Sequence, residues 1–186
     1  EGEFYPFINE RSDGLSTLKW IREQEWCNGT VAGWGTSYVG YTQWAISDSL
    51  DFLTLVVTGA NIYEFMYPNE CFSLQSAFTW GFQNVATKSN AISGEKLEES
   101  MFILTISTAD DSTIADIPFI NDWIAHESYD DYWAKMNFRG ITTAPMISMA
   151  GWYDIFLDAQ IADFQAAVAA GDTESRLIVG PWAHGP

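Results

Sequence analysis

Apolar runs of strand length alternate along the chain with segments that have the spacing or composition of buried helices. The runs with the length of buried strands are residues 31–36, 52–57, 145–150 and 176–179. The helical segments are residues 13–25, 38–50 and 155–170. Strands that alternate with helices are typical of a parallel, doubly wound sheet, so the pattern predicts an α/β fold.

Between Ala60 and Arg139 this alternation gives way to helical and polar stretches rich in aromatic side chains. We interpret residues 60–140 as a helical cap inserted into an α/β core that residues 1–59 and 141–186 form. Insertions at the carboxyl ends of parallel strands lie over the ligand crevice. The cap is therefore expected to contribute to a substrate pocket.

The composition predicts a soluble globular protein, since 47% of the 186 residues are hydrophobic and 16% are aromatic. The net charge of −17 opposes binding to phosphate backbones and anionic lipid, so neither a nucleic acid nor a membrane is expected as a partner. No apolar run approaches the roughly 18 residues that span a bilayer. Residues 1–4 carry no signal-peptide pattern and no initial Met, so the cellular location is not indicated.

The two cysteines, Cys27 and Cys71, form no CxxC motif and have no nearby histidine at metal-ligand spacing. We therefore expect neither a disulfide framework nor a zinc site, and no motif indicates a cofactor. The two thiols could pair with each other only if the fold brought them together.

The most informative stretch is Gly33-Trp34-Gly35-Thr36-Ser37-Tyr38-Val39-Gly40, where a predicted strand meets a predicted helix. A nucleophilic serine at such a junction has a strained backbone and needs small neighbours, which Gly35 and Gly40 supply. The helix that follows directs backbone N–H groups at an oxyanion forming beside the serine. Ser37 is therefore the candidate nucleophile, and an ordinary helix N-cap is the alternative.

A serine hydroxyl needs a base, and the chain contains only two histidines. His184 follows the strand predicted at 176–179, where its imidazole would emerge at the carboxyl edge of the sheet. His126 precedes any strand that could deliver an orienting acid, so its use would break the chain order Ser, Asp, His. We predict His184 as the base and a structural role for His126.

Asp154 is the candidate acid, because it comes just after the strand predicted at 145–150. Asp158 and Asp163 fall inside the next predicted helix and are weaker candidates. Asp154 could also be a plain N-cap of that helix. The three candidates Ser37, Asp154 and His184, however, follow different predicted strands in the expected order, which favours a catalytic triad.

These residues lie within a series of longer motifs, which are Glu1-Gly2-Glu3-Phe4, Trp26-Cys27-Asn28-Gly29, Gly35-Thr36-Ser37-Tyr38-Val39-Gly40, Gly151-Trp152-Tyr153-Asp154 and Gly180-Pro181-Trp182-Ala183-His184. Over nearly the whole chain the series resembles the cocaine-esterase-like hydrolases, the CocE/NonD group related to X-Pro dipeptidyl peptidases. The resemblance implies an α/β-hydrolase with Ser37 as nucleophile, Asp154 as orienting acid and His184 as general base and then acid. It also implies the backbone N–H of Tyr38 as one oxyanion donor.

Members of this group have further strands before the nucleophile, including a tyrosine hydroxyl as second oxyanion donor, and a jelly-roll domain after the histidine. The resemblance therefore implies that the 186 residues are an internal segment of a longer protein. Loss of one oxyanion donor typically lowers turnover about 100- to 1,000-fold, so we expect weak catalysis by the segment alone.

These features predict a serine hydrolase that cleaves ester or amide bonds of a small-molecule substrate through an acyl-enzyme. Trp80 and Phe156 are the candidate substrate contacts. Within the family, the alternative is an X-Pro dipeptidyl peptidase or α-amino acid ester hydrolase, which needs carboxylates near the site such as Glu64, Glu70 or Asp122. An alternative of another class is a non-catalytic binding module whose nine tryptophans form a ligand platform.

Overall fold

The computed structural model describes residues 4–85, 93–110 and 117–184. Its sheet consists of the parallel strands β1 (Ala32–Thr36), β2 (Phe52–Val56), β3 (Met146–Gly151) and β4 (Arg176–Gly180), in the order β1-β2-β3-β4. Each strand begins and ends within one residue of its predicted limits. The predicted α/β fold with a parallel sheet is confirmed.

Helices connect the strands and occupy the described residues between β2 and β3. Their bounds are α1 Glu10–Arg22, α2 Ser37–Trp44, α3 Ile62–Met66, α4 Leu74–Val85, α5 Gly94–Ser100, α6 Pro118–Ala125, α7 Asp131–Ala134 and α8 Leu157–Ala169. Short 3-10 turns lie at Ser47–Ser49, Pro68–Glu70 and Ile106–Thr108. Among these residues, no helix is both long and apolar enough to cross a membrane.

Helix α2 is shorter than the helix predicted at 38–50. It ends at Trp44, and a 3-10 turn follows at Ser47–Ser49. Asp48 in this turn accepts hydrogen bonds from the guanidinium of Arg11 at 2.7 and 3.1 Å. The turn residues Ser, Asp and Ser favour local hydrogen bonds over a helical backbone, and the contact with Arg11 stabilises the 3-10 turn.

Helices α1 and α8 also begin at positions other than those predicted. Helix α1 begins at Glu10, whose carboxylate accepts the N–H of Phe7 at 2.8 Å and so stabilises the earlier start. Helix α8 begins at Leu157 rather than residue 155. The side chain of Asp154 accepts the N–H of Phe156 at 2.7 Å, which holds the intervening residues in a turn.

Helices α2 and α8 pack on the same face of the sheet. Gly35 is in register with Leu55, and Leu55 with Ser148, so these positions share one face. Helix α2 begins against Gly35, and Gln160 of α8 donates to Ser148 Oγ at 2.8 Å. The opposite face is more open, since Trp34 on it is 66% exposed.

The chain forms two compact units, whose boundaries fall between residues 65 and 66 and between residues 134 and 135. The first unit contains the sheet, and the second contains α4 to α7. The buried core of the second unit is aromatic and includes Phe78, Phe82, Phe119, Trp123 and Trp133. The described part of the segment predicted at 60–140 is thus helical, while its residues 86–92 and 111–116 lie outside the described ranges. Its role as a cap stays a prediction.

An ion cluster, the Arg139 cluster, joins Arg139 to Glu64 and Asp163 within the first unit. Arg139 donates to both carboxylate oxygens of Glu64 at 2.5 Å and to Asp163 at 2.6 Å. The side chain of Asp163 is only 1% exposed, and it also accepts the N–H of Ala60 at 2.8 Å. Burial raises the pKa of Asp163, and the charge of Arg139 opposes that effect. The guanidinium of Arg139 therefore compensates the negative charge of the buried Asp163 carboxylate.

Replacing Arg139 with methionine should lower the free energy of unfolding by about 3–5 kcal/mol, because Asp163 then loses its buried counter-charge. Arg22→Met is the matched control, since Arg22 and Asp51 are 3.8 Å apart with side chains 42% and 48% exposed. The control should lose less than about 1 kcal/mol. Urea denaturation of both variants measures the difference, and equal losses would contradict this role of the Arg139 cluster.

Candidate active site

Strand β1 ends at Thr36, and the chain turns sharply into α2 at Ser37. Thr36 is extended, with φ −115° and ψ 146°, whereas Ser37 has a φ of 53°. A positive φ is uncommon and strained in a residue other than glycine, and it is typical of a nucleophile at a strand-to-helix elbow. Ser37 therefore has the strained backbone that the sequence predicts.

The neighbours of Ser37 must be small because the turn brings other atoms very close to them. A Cβ atom at Gly35 would lie 2.3 Å from the carbonyl oxygen of Val39, and one at Gly40 would lie 2.7 Å from Cγ2 of Thr58. Val39, at the place of the second glycine in the common G-x-S-x-G motif, is 51% exposed. The close approach falls on Gly40 instead, which explains why the glycine stands one residue later here.

The side chains of Ser37, His184 and Asp154 form a continuous chain of hydrogen bonds. Ser37 Oγ lies 2.8 Å from His184 Nε2, and His184 Nδ1 lies 2.6 Å from Asp154 Oδ2. Both distances are those expected for a nucleophile, its base and an orienting acid. The structure thus brings together all three residues of the predicted triad.

Asp154 contacts both the histidine and the start of α8. Its side chain is 0% exposed. Oδ2 faces His184, while Oδ1 accepts the N–H of Phe156 at 2.7 Å. The contact to Phe156 fixes the rotation of the carboxylate and so directs Oδ2 at the imidazole. Asp154 is therefore not the N-cap of α8, because Phe156 occupies that position, and Oδ1 instead holds the turn that precedes the helix.

The loops that carry Asp154 and His184 are paired through their backbones. The N–H of Trp152 donates to the carbonyl of Gly180 at 2.9 Å, and the N–H of Tyr153 donates to the carbonyl of Trp182 at 3.1 Å. These bonds continue the parallel pairing of β3 with β4. The pairing brings the histidine loop alongside the acid loop.

The backbone N–H of Tyr38, the predicted oxyanion donor, lies in the first turn of α2 directly after Ser37. N–H groups at a helix N-terminus have no helical partner and favour a negative charge. The phenol of Tyr38 donates to a carboxylate oxygen of Glu10, and burial together with this hydrogen bond raises its pKa. The phenol therefore remains neutral and anchors residue 38 to α1.

The two predicted substrate contacts lie in different units. Phe156 is 6% exposed, and its ring centroid lies 5.5 Å from that of His184 and 4.6 Å from that of Phe65. Trp80 belongs to the second unit, where it packs on Phe119 and Trp123 at 6.2 and 6.1 Å. Contact of either side chain with a substrate stays a prediction.

The other candidates from the sequence have different partners. His126 follows α6, where its Nδ1 lies 2.6 Å from Asp130 and its ring stacks on Tyr132 at a centroid distance of 4.3 Å. Asp158 is exposed on α8, and Asp163 belongs to the Arg139 cluster. The structural role of His126 stays a prediction.

A metal site would require a cluster of ligating side chains in the described part of the chain. No group of three or more His, Cys, Asp or Glu residues there could hold a metal ion. Cys27 and Cys71 are free thiols, and they belong to different units.

Sequence reasoning missed two buried polar residues, Thr58, which contacts Ser37, and Gln160, which contacts Thr58. Thr58 Oγ1 donates to the carbonyl of Ser37 at 2.7 Å. Gln160 accepts the N–H of Thr58 at 3.2 Å and is fully buried on α8. The available signal for Thr58 was its position just after β2, since polar residues at the ends of parallel strands lie near a site. The available signal for Gln160 was that it is a polar residue on the buried face of a predicted helix, where polar groups usually form hydrogen bonds.

Comparison with known proteins relates the whole chain to one family. The family model of the X-Pro dipeptidyl-peptidases (S15 family) matches residues 1–186. The cocaine esterase of Rhodococcus sp. (strain MB1 Bresler) is 28% identical over an alignment of 209 positions, gaps included, which covers 99% of this chain and 36% of the esterase. The chain therefore spans little more than a third of that relative.

Solved structures give the same fold. An aminopeptidase from the marine sediment archaeon Thaumarchaeota archaeon matches with a TM-score of 0.71 and 21% identity, over 95% of this chain and 32% of that one. An α-amino acid ester hydrolase matches with a TM-score of 0.56 and 16% identity, over 96% of this chain and 32% of that one. These likenesses agree with the predicted α/β-hydrolase fold. Since the family model matches every residue, the chain belongs to the X-Pro dipeptidyl-peptidase (S15) family.

Proposed function

We propose that the protein containing this chain is a serine hydrolase that cleaves ester or amide bonds through an acyl-enzyme intermediate. The observation that carries the proposal is the continuous contact from Ser37 Oγ through the His184 imidazole to the buried Asp154. A serine hydroxyl is a weak nucleophile until a base removes its proton. The imidazole is at the right distance for that transfer, and the carboxylate faces the opposite ring nitrogen.

In the first half-reaction, Ser37 Oγ attacks the carbonyl carbon of the substrate while His184 Nε2 takes the hydroxyl proton. The carbonyl oxygen becomes an oxyanion, which accepts a hydrogen bond from the N–H of Tyr38. The bond to the leaving group then breaks, and His184 returns the proton to the departing alcohol or amine. Asp154 holds the neutral imidazole in the tautomer that presents unprotonated Nε2 to the serine, and it stabilises the positive imidazolium that forms when Nε2 takes the proton.

In the second half-reaction, water takes the place of the leaving group. His184 removes one proton from the water as its oxygen attacks the acyl carbon of the ester on Ser37. The second tetrahedral intermediate collapses, the bond between the acyl carbon and Ser37 Oγ breaks, and His184 returns the proton to Oγ. The products are a carboxylic acid and the regenerated enzyme.

The second candidate is a hydrolase specific for substrates with a free α-amino group, because the family includes X-Pro dipeptidyl-peptidases. Such an enzyme needs a carboxylate that holds the ammonium group. Of the three carboxylates that the sequence offers, Glu64 already forms two hydrogen bonds with Arg139, which compensates its charge. Glu70 and Asp122 belong to the second unit. The contact with Arg139 therefore disfavours Glu64 as the carboxylate that holds an ammonium group.

Hydrolysis of phenylalanine p-nitrophenyl ester and of its N-acetyl derivative distinguishes these candidates. For a general acyl hydrolase, kcat/KM should change by less than about tenfold on acetylation. An amine-specific enzyme loses a charged hydrogen bond of about 1.5–3 kcal/mol, so its kcat/KM should fall by about tenfold or more. Measurement on the full-length protein therefore selects one of the two substrate classes.

A fluorophosphonate should label Ser37 in the full-length protein and form a covalent adduct at Oγ. Labelling should vanish in Ser37→Ala and slow on the order of 10⁴-fold or more in His184→Ala, because the hydroxyl loses its base. His126→Ala is the matched histidine control and should keep the original rate. Peptide mass spectrometry locates the adduct, and a folded protein without any label would favour the non-catalytic binding module.

Asp154→Asn should lower kcat by about 10⁴-fold, because a neutral amide can hold the imidazole in the wrong tautomer and cannot stabilise its charge. The amide oxygen still accepts the N–H of Phe156, so the turn before α8 and the thermal unfolding midpoint should change little. Asp158→Asn, at an exposed site on the same helix, is the matched control and should keep its turnover. Full turnover in a folded Asp154→Asn protein would refute the assignment of the acid.

A further inference from the structure

We propose that Thr58 is a positioning residue that orients the oxyanion donor. The inference rests on the proposed function, since it assigns a role toward the N–H of Tyr38 in that reaction. Thr58 itself does not contact the reacting atoms. It acts through the peptide group between Ser37 and Tyr38.

Thr58 contacts this peptide group directly. Its Oγ1 donates to the carbonyl oxygen of Ser37 at 2.7 Å, and the residue is 0% exposed. The carbonyl of Ser37 and the N–H of Tyr38 belong to the same planar peptide unit, and they point in opposite directions because the bond is trans. A hydrogen bond that fixes the carbonyl therefore also fixes the direction of the N–H.

The same hydrogen bond affects how strongly the N–H donates. Hydrogen bonds in a chain polarise one another, so a carbonyl that accepts a bond makes the N–H of its own peptide a better donor. The oxyanion exists only in the transition state and the tetrahedral intermediate. Thr58 should therefore affect kcat more than KM.

The backbone on both sides of this contact is strained. Ser37 has a φ of 53°, and Val57, just before Thr58, has a φ of 42°. A positive φ is a clear outlier for a β-branched residue, and such a conformation persists only where its surroundings hold it in place. The hydrogen bond from Thr58 to Ser37 joins the two strained segments, so strain is concentrated where the donor is oriented.

Helix α8 in turn holds the position of Thr58. Gln160 accepts the N–H of Thr58 at 3.2 Å and donates to Ser148 Oγ at 2.8 Å and to the carbonyl of Met149 at 3.2 Å. Gln160 is fully buried, so these bonds are shielded from competing water. Ser148 and Met149 belong to β3, the strand that leads to Asp154. Thr58 is therefore held relative to the acid strand as well as to the nucleophile.

The test replaces Thr58 in the full-length protein and measures hydrolysis of p-nitrophenyl butyrate and the rate of fluorophosphonate labelling. Thr58→Val keeps the shape of the side chain and removes the hydroxyl. We expect kcat and the labelling rate to fall about tenfold to a hundredfold, as for a small misplacement of a catalytic group, with KM within about twofold. Thr58→Ser keeps the hydroxyl and should retain kcat within about threefold of the original protein.

Two further comparisons separate positioning from packing. Thr54→Val changes the same residue type within β2 on the opposite face of the sheet, and it should leave kcat unchanged. Thr58→Ala and Thr58→Ser both lack the methyl group and differ in the hydroxyl. If Thr58→Val does not fold, this pair gives the answer, and the alanine variant should have at least about tenfold lower kcat.

Unchanged kcat in a folded Thr58→Val protein would overturn the proposal. Equal losses in Thr58→Ser and Thr58→Ala would also overturn it, because the methyl group rather than the hydroxyl would then matter. A failure of the proposed function has a different signature: the unsubstituted protein would itself show no labelling of Ser37. That result would overturn both proposals, whereas labelling that is insensitive to Thr58 would overturn this one alone.

Discussion

The site depends on contact between two residues that follow the outer strands of the sheet. Ser37 follows β1 and His184 follows β4, at opposite edges of the described sheet. Neighbouring strands lie about 4.8 Å apart, so the ends of these strands are roughly 14 Å apart. A contact of 2.8 Å therefore requires the loop after β4 to run back across the carboxyl ends of the strands. Its backbone pairing with Trp152 and Tyr153, and the buried Asp154, hold that path.

A second requirement is that the elbow keep a strained serine. A strained backbone persists only where its surroundings over-determine it. Helix α8 provides three contacts toward this end: the turn at its start holds Asp154, and Gln160 and Asp163 accept the N–H groups of Thr58 and Ala60. One helix thus connects Asp154 with the segment that contacts Ser37.

The α/β core could be predicted because the strands are short, largely apolar runs separated by segments of helical character, which is a local property of the sequence. The candidate triad could be located because parallel strands place their carboxyl ends at one edge of the sheet, so the residues that follow different strands lie close together. Ser37, Asp154 and His184 were found by that reasoning, and the structure brings them into contact.

Other features depend on contacts between distant residues, which local patterns do not reveal. The early end of α2 involves Arg11 and Asp48, which are 37 residues apart. The proposed role of Thr58 involves the φ of Val57 and a hydrogen bond with Gln160, which is 102 residues away along the chain. The composition of residues 60–140 indicated helices, but it could not indicate which residues border the second unit.

The second unit is inserted between two strands that are neighbours in the sheet, β2 and β3. Bringing the two ends of so long a connection together costs conformational entropy. Contacts at the points where the chain leaves the first unit and returns to it offset this cost. Within the first unit, Phe138 donates its N–H to the carbonyl of Ala60 at 2.8 Å. The Arg139 cluster lies beside this contact and ties both connecting segments to α8. These contacts close the connection within the first unit, which also contains Thr58 and Ser37.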